Sequence, residues 1–182
     1  MFLSPSLRRS EPLLSAAEQA GCVICSDSEL FFSANPENVF AITGSDGKST
    51  TTFLTSELTK NTLNAKPSGN FGLPLCELLA SDKSSGAVIE LSSFQLMYMK
   101  PKLSRALITN ITENHLNWHS DFDEYIRAKK NIFENADCRA ITLDSAVCED
   151  IARKMRPDIL ISDRHKASEL YSLYRPQLVL TR

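Results

Sequence analysis

The sequence of 182 residues lacks any apolar run that approaches the ~20 residues needed to cross a bilayer, so no membrane insertion is expected. It also lacks a basic excess: 20 Lys and Arg stand against 22 Asp and Glu, and the formal net charge is -2. This balance argues against a nucleic-acid or anionic-membrane partner. No apolar segment follows Arg8 and Arg9, so no signal peptide is expected. We therefore expect a cytoplasmic location.

The five cysteines lack the spacing of a metal or disulfide framework. Cys22 and Cys25 form one C-x-x-C, which suits a redox pair or half a zinc site, but no second cysteine or histidine pair stands at ligand spacing. The same segment, CVIC, has the composition of a short buried strand. We therefore expect reduced core cysteines and no metal bound by thiolates.

From Val39 onward, short apolar runs alternate with amphipathic stretches. Strands are predicted at six of these runs: Val39–Thr43, Ala87–Leu91, Arg105–Asn110, Arg139–Leu143, Asp158–Ile161 and Gln177–Leu180. This alternation is typical of βαβ units. The predicted fold class is α/β, with a mostly parallel sheet covered by helices on both faces.

The N-terminal part has a different pattern. It predicts a helix over Leu13–Ala20 ended by Gly21, a strand over Cys22–Cys25 and a short helix near Glu29–Ser33. The residues after that helix, Asn35, Pro36 and Glu37, have the composition of a linker. We therefore predict two units, residues 1–36 and residues 37–182.

Residues 43–51, TGSDGKSTT, carry the strongest chemical signal. An apolar strand leads into a loop with two glycines, and Lys48 and Ser49 open a helix, as in a phosphate-binding loop. The strict pattern G-x-x-x-x-G-K-[ST] is not met, because Ile42 stands at its first position. An ordinary strand-to-helix turn with polar capping residues is the alternative. The residues expected at the nucleotide are Gly44, Ser45, Asp46, Gly47, Lys48, Ser49 and Thr50.

Five blocks in order resemble the Mur ligase family. They are TGSDGKSTT at 43–51, SGNFGLP at 68–74, ELSSFQL at 90–96, TNITENHLN at 109–117 and YIRAK at 125–129. ELSSFQL is identical to the segment typical of the branch of this family that adds D-glutamate, and it distinguishes that branch from the others. Residues 1–36 resemble the end of the first domain of that branch, and residues 37–182 resemble part of its central ATP-binding domain.

The resemblance implies an ATP-dependent ligase of peptidoglycan precursor synthesis, and so of cell-wall biogenesis, cell shape and cell division. The implied reaction joins D-glutamate to UDP-N-acetylmuramoyl-L-alanine through an acyl phosphate. The implied cofactors are ATP and Mg²⁺, with the metal ions held by Ser49, Glu90, His115 and Lys129. Lys129 matches a lysine that reacts with CO₂ to form a carbamate, and Lys48, His115 and Lys129 are the implied catalytic residues. Asn70 and Ser92 are the implied substrate contacts.

Three residues depart from the family pattern. Asp46 stands where the loop usually carries Asn, and Asn114 and Asn117 replace two aspartates. A carboxylate beside a triphosphate should repel it, and the two asparagines remove negative charge near His115. The chain also corresponds to only part of a three-domain enzyme, so we expect uncovered apolar surface and no complete reaction by this chain alone. An inactive nucleotide-binding remnant and a ligase of another branch, such as folylpolyglutamate synthase, remain the alternatives.

Overall fold

The computed structural model describes residues 1–34, 36–80, 86–162 and 176–180. The helices in these residues are α1 (Pro12–Gln19), α2 (Asp27–Ser33), α3 (Lys48–Leu63), α4 (Leu75–Ala80), α5 (Ser93–Leu96), α6 (Phe122–Lys130) and α7 (Ala146–Met155). The strands are β1 (Val39–Thr43), β2 (Lys66–Gly69), β3 (Ala87–Glu90), β4 (Lys102–Ile108), β5 (Asn135–Thr142), β6 (Ile159–Ser162) and β7 (Gln177–Leu180). A short 3-10 turn, Asn131–Phe133, joins α6 to β5. No described helix is long and apolar enough to span a membrane.

All strand pairs in the described sheet are parallel, and the strand order is β2-β3-β1-β4-β5-β6-β7. Because β1 lies between β3 and β4, the carboxyl ends of three strands meet around the loop that follows Thr43. In register, Ile42 pairs with Glu90 on one side and with Leu107 on the other. The predicted α/β class with a parallel sheet is confirmed.

Alternate residues of the strands point to opposite faces of the sheet, and each face has its own apolar cluster. The larger cluster includes Ala41 and Ile89 and packs against α2, α4, α5, α6 and α7. The smaller one includes Ile42 and Val88 and packs against Leu63 of α3. The helices therefore cover both faces, as predicted.

Polar residues at the helix starts explain where several helices begin. Ser26 caps α2 in a capping box with Glu29, and Ser92 caps α5 with Gln95 in the same way. Asp121 accepts a hydrogen bond from the backbone of Glu124 at the start of α6. Gly21 follows α1 with φ +82° and ends that helix, in agreement with the predicted stop.

Two predictions for the N-terminal half are wrong. Cys22–Cys25 is not a strand: residues 1–3 lie beside it, but the two segments pair only at a single bridge between Cys25 and Phe2. Cys22 is exposed and only Cys148 is buried, although all five cysteines are free thiols. Strand β2 was not predicted, because its sequence, KPSG, has no apolar run.

The division near residue 36 remains a prediction. Leu3, Leu14 and Ile24 form a small cluster of their own, which favours a separate N-terminal unit. Phe31 of α2, however, packs in the main core. Pro36 and Glu37 lie between α2 and β1 outside any helix or strand, whereas Asn35 lies outside the described residues.

Candidate nucleotide and metal site

The loop between β1 and α3 lies at the centre of the carboxyl edge of the sheet. Gly47 has φ +74° and precedes α3 without a side-chain cap. The first N–H groups of a helix have no partner within the helix, so those of α3 are available to an anion. Lys48 donates from Nζ to the backbone oxygen of Ser45, at 2.8 Å. Its ammonium group therefore lies over the loop, where the sequence predicts a phosphate.

Asn110, which the sequence analysis did not single out, clamps this loop. Its Oδ1 accepts from the backbone N–H groups of Ser45 and Asp46, at 3.1 and 2.8 Å, and its Nδ2 donates to the oxygen of Asp46 at 3.1 Å. The neighbouring Thr109 also donates to the Asp46 oxygen, at 2.9 Å. The Thr-Asn pair at the start of the 109–117 block was the available signal, since amide and hydroxyl side chains suit such bonds.

Ser45 was predicted to contact the nucleotide, but its side chain points into the protein. Its Oγ donates to the oxygen of Thr112 and accepts from the N–H of Thr112, both at 2.9 Å, and it lies 2.9 Å from the hydroxyl of Tyr125. The backbone N–H of Ser45 donates to Asn110 and its oxygen accepts from Lys48, so both the side chain and the backbone of Ser45 bond within the protein. The side chain of Asp46, in contrast, is exposed at the loop surface.

Glu90 brings three of the predicted residues together. It ends β3 and is buried, at 2% exposure. Ser49 donates from Oγ to Glu90 Oε2 at 2.7 Å, and Asn70 donates from Nδ2 to Glu90 Oε1 at 2.9 Å. Both oxygens of a buried carboxylate thus have neutral donors, although burying a negative charge favours a cation nearby. Hydroxyl and carboxylate oxygens are the ligands that Mg²⁺ prefers, so this pair fits the metal.

Lys129 is buried at 1% exposure on α6, and its surroundings lower its pKa from 10.5 to about 7. The largest cause is burial; the positive charge of Lys48 adds to it, and the negative charges of Glu90 and Asp46 oppose it. Nζ donates to the oxygen of Gly44 at 2.7 Å and lies 4.7 Å from the ring centre of Tyr125. Near neutral pH a large fraction of this amine is therefore uncharged and nucleophilic.

His115 lies on the exposed loop after β4, in a left-handed conformation with φ +56°. Its N–H donates to Oδ1 of Asn114 at 2.8 Å, so the Asp-to-Asn departure at 114 keeps this local bond. Its ring packs edge-on against Phe94, with centroids 5.0 Å apart. Partial burial and the positive charges of Lys129 and Lys48 lower the His115 pKa, which favours the neutral imidazole that binds metals.

His115 and Lys129 share a neighbour rather than a direct contact. The ring centroid of Tyr125 lies 6.4 Å from the ring centroid of His115 and 4.7 Å from Lys129 Nζ. The described residues contain no group of three or more His, Cys, Asp and Glu side chains suited to a metal. His115 and Lys129 remain the predicted ligands of a second ion.

Ser92 is not brought to this cluster by any contact that the structure records. Its Oγ caps α5 by accepting from the N–H of Gln95 at 3.3 Å. Gln95 in turn donates from Nε2 to Ser28 Oγ at 2.7 Å and so ties α5 to α2. The substrate contacts predicted at Asn70 and Ser92 remain predictions. In the structure the Asn70 side chain bonds to Glu90, and that of Ser92 bonds to Gln95.

The fold and the loop define an α/β protein of the phosphate-binding-loop type. The family model for the Mur ligase middle domain matches residues 42–171, and the chain belongs to the Mur ligase family.

Two curated relatives illustrate the similarity. A UDP-N-acetylmuramoylalanine–D-glutamate ligase of Clostridium novyi is 38% identical over 174 residues, which is 93% of this chain and 38% of the relative. One of Clostridium botulinum (strain Kyoto) is 46% identical over 136 residues, 74% of this chain and 30% of the relative. The chain thus spans about two fifths or less of the length of these relatives.

Solved structures share the fold at low sequence identity. A UDP-N-acetylmuramate:L-alanyl-gamma-D-glutamyl-meso-diaminopimelate ligase from Neisseria meningitides has a TM-score of 0.63 and 14% identity, covering 88% of this chain and 57% of that one. MurF ligase from Thermotoga maritima, solved in complex with ADP, has a TM-score of 0.59 and 19% identity, covering 74% and 35%. These two similarities establish the fold.

Proposed function

We propose that the protein acts as an ATP-dependent ligase of peptidoglycan precursor synthesis, with the loop at 44–50 holding the triphosphate. The observation that carries this proposal is the contact of Ser49 with the buried Glu90, directly beside Lys48 and the first turn of α3. This arrangement combines a cation, helix N–H groups and hard oxygen ligands at one place. Transfer of a phosphoryl group to a carboxylate brings two anions together and needs such screening.

Each residue has a role in this proposal that follows from its chemistry. Lys48 neutralises the transferred phosphoryl group, and Ser49 and Glu90 hold the first Mg²⁺. The uncharged amine of Lys129 reacts with CO₂ and releases a proton, which converts a neutral amine into an anionic oxygen ligand. Neutral His115 joins it at the second ion. Magnesium supplies charge neutralisation at the phosphates when it is bound.

For the substrates, we propose UDP-N-acetylmuramoyl-L-alanine and D-glutamate, which would be joined through an acyl phosphate in the cytoplasm. The names of the curated relatives and the ELSSFQL segment at 90–96 support this branch over folylpolyglutamate synthase. Asn70 and Ser92 are the proposed substrate contacts; Asn70 lies in the candidate site, where its Nδ2 donates to Glu90 Oε1 at 2.9 Å. Because the chain spans about two fifths of its relatives, the complete reaction is proposed for the whole enzyme, with residues 37–182 as part of its ATP-binding domain.

The first test is calorimetric titration of the chain with ATP, with and without Mg²⁺, beside Lys48→Ala. We expect Mg²⁺-dependent binding that is weakened about tenfold or more in the variant, since hydrogen bonds to charged groups contribute about 1.5–3 kcal/mol. Lys60→Ala is the matched control, because Lys60 lies on the same helix with its side chain 64% exposed. Its affinity should equal that of the unsubstituted chain.

The outcomes separate the candidate functions. Equal ATP affinity of the unsubstituted chain and Lys48→Ala would contradict the proposal that residues 44–50 form a phosphate-binding loop. The chain can also be joined to the remaining domains of a relative and assayed for acyl-phosphate formation. Mg²⁺-dependent ATP binding without acyl-phosphate formation would favour the nucleotide-binding remnant.

Asp46→Asn is expected to tighten ATP binding severalfold at low ionic strength. The side chain is exposed beside the expected phosphates, so removing its charge removes repulsion. The loop should keep its shape, because the bonds of Asp46 to Thr109 and Asn110 use its backbone. The gain should shrink as salt is added, since exposed charges are screened. The same titration of Glu57→Gln, on the exposed side of α3, should give no gain; a gain of equal size there would mean that net charge alone is responsible.

A further inference from the structure

Two neighbouring arginines of the N-terminal segment are stacked on aromatic rings of the ATP-binding unit. The guanidinium carbon of Arg8 lies 4.8 Å from the ring centre of Trp118, and that of Arg9 lies 4.8 Å from the ring centre of Tyr98. Arg8 also forms an ion pair with Glu124 of α6, whose side chain is only 14% exposed. Stacking of a guanidinium on an aromatic face together with an ion pair fixes its position strongly.

Backbone groups reinforce the same contact. Trp118 donates from Nε1 to the oxygen of Ser6 at 2.6 Å, and the N–H of Arg9 donates to the hydroxyl of Tyr98 at 3.1 Å. The segment 6–9 is therefore held by both its side chains and its backbone. Its position relative to Trp118 is defined by two contacts, the guanidinium of Arg8 over the ring and the hydrogen bond from Nε1 to Ser6.

Glu124 connects Arg8 to the loop that follows β4. It accepts from the N–H of Ser120 at 3.1 Å and from the hydroxyl of Ser120 at 2.9 Å, and it lies 3.1 Å from Nδ1 of His119. His119 is buried and its Nε2 lies 2.9 Å from Ser93 Oγ. The N–H groups of Trp118 and His119 both donate to the oxygen of His115, at 2.9 and 3.0 Å.

The His115 end of this loop lies at the surface, where the His115 ring packs against Phe94. Residues 113–117 are exposed, and His115 itself has the left-handed φ of +56°. A residue with a side chain keeps such a conformation only where its surroundings determine it. The well-packed end of the loop, Trp118–Ser120, is the end that Arg8 contacts through Trp118 and Glu124.

We propose that Arg8 is a positioning residue: through Trp118 and Glu124 it fixes the loop 113–120 and so the place of His115. The N-terminal segment thereby completes the geometry of the candidate metal site. The importance of His115 rests on the proposed function, but the positioning of the loop does not. The two ideas can therefore fail separately.

The test uses Trp118, the only tryptophan of the chain, and requires no ligand. In Arg8→Gln we expect tryptophan emission at longer wavelength and amide hydrogen exchange in residues 113–120 at least about tenfold faster, since local opening is easier. Exchange in β1 and β4 should stay unchanged. Arg127→Gln is the matched control, because Arg127 lies on α6 near Glu124 but makes an exposed ion pair with Asp121 at 3.9 Å. It should leave both readouts unchanged.

Unchanged emission and exchange in Arg8→Gln would overturn the proposal. If that variant loses protection throughout β1 and β4, it has not folded, and Arg8→Lys decides. Lysine keeps the charge beside Glu124 but lacks the planar guanidinium. We therefore expect amide exchange in residues 113–120 that is faster than in the unsubstituted chain but slower than in a chain whose loop has lost the contact. Exchange in Arg8→Lys equal to that of the unsubstituted chain would then overturn the proposal.

Discussion

Gly69→Ala is expected to lower the free energy of unfolding by about 2–5 kcal/mol. Gly69 has φ +94°, where a residue with a side chain is strained by roughly 1–2 kcal/mol. A Cβ at this position would lie 2.4 Å from the backbone oxygen of Glu90 and 2.9 Å from Cγ2 of Ile89. Backbone cannot move aside cheaply, and overpacking typically costs a further ~1–3 kcal/mol.

The measurement is urea unfolding followed by circular dichroism, with Gly21→Ala as control. Gly21 has a similar φ of +82°, but a Cβ there would meet nothing within 4 Å. That variant should be destabilised only by the ~1–2 kcal/mol of backbone strain that a side chain introduces there. Equal losses in the two variants would show that crowding at Glu90 is unimportant. A larger loss at Gly69 would mean that the glycine lets β2 end against Glu90 and brings Asn70 within 2.9 Å of the carboxylate.

The sheet was predictable where strands carry runs of apolar residues. β1, with the sequence VFAIT, and β7, Gln177–Leu180, were predicted with the bounds that the structure has. β4 begins at Lys102 and β5 at Asn135, earlier than the predicted Arg105 and Arg139, because polar residues extend both strands where they pair with each other. β2 was missed because backbone pairing with β3, rather than apolar burial, makes it a strand.

The resemblance implied that Ser49 and Glu90 belong to one site, and the topology of the sheet accounts for their contact. Ser49 follows β1 and Glu90 ends β3, so adjacent parallel strands place them side by side. Side-chain direction was not predictable in the same way. The hydroxyl of Ser45 turns inward because Thr112 and Tyr125 offer it partners from distant parts of the chain. No local pattern in the loop records those partners.

Lys129 should make the stability of the chain depend on pH between 7 and 9, with the free energy of unfolding rising by about 2 kcal/mol across that window. Its pKa is about 7 in the folded chain against 10.5 as the ordinary value. Between these values the unfolded chain binds a proton that the folded chain does not, so stability rises with pH. The pKa values of His115 and His119 are lowered from 6.5 and affect stability mainly below this window. Burial raises the pKa of Cys148 from 9.0 to about 11, which lowers stability mainly above pH 9.

Urea unfolding in CO₂-free buffer measures this rise, with Lys129→Met and Lys130→Met as a matched pair of adjacent substitutions. The rise should disappear in Lys129→Met and persist in Lys130→Met, because Lys130 is only partly buried. A flat profile for the unsubstituted chain, or the same rise in Lys129→Met, would contradict the lowered pKa. The burial that makes the protonated lysine costly also leaves a nucleophilic amine at neutral pH. Isotopically labelled bicarbonate should therefore yield a carbamate signal in the unsubstituted chain and in Lys130→Met, but none in Lys129→Met.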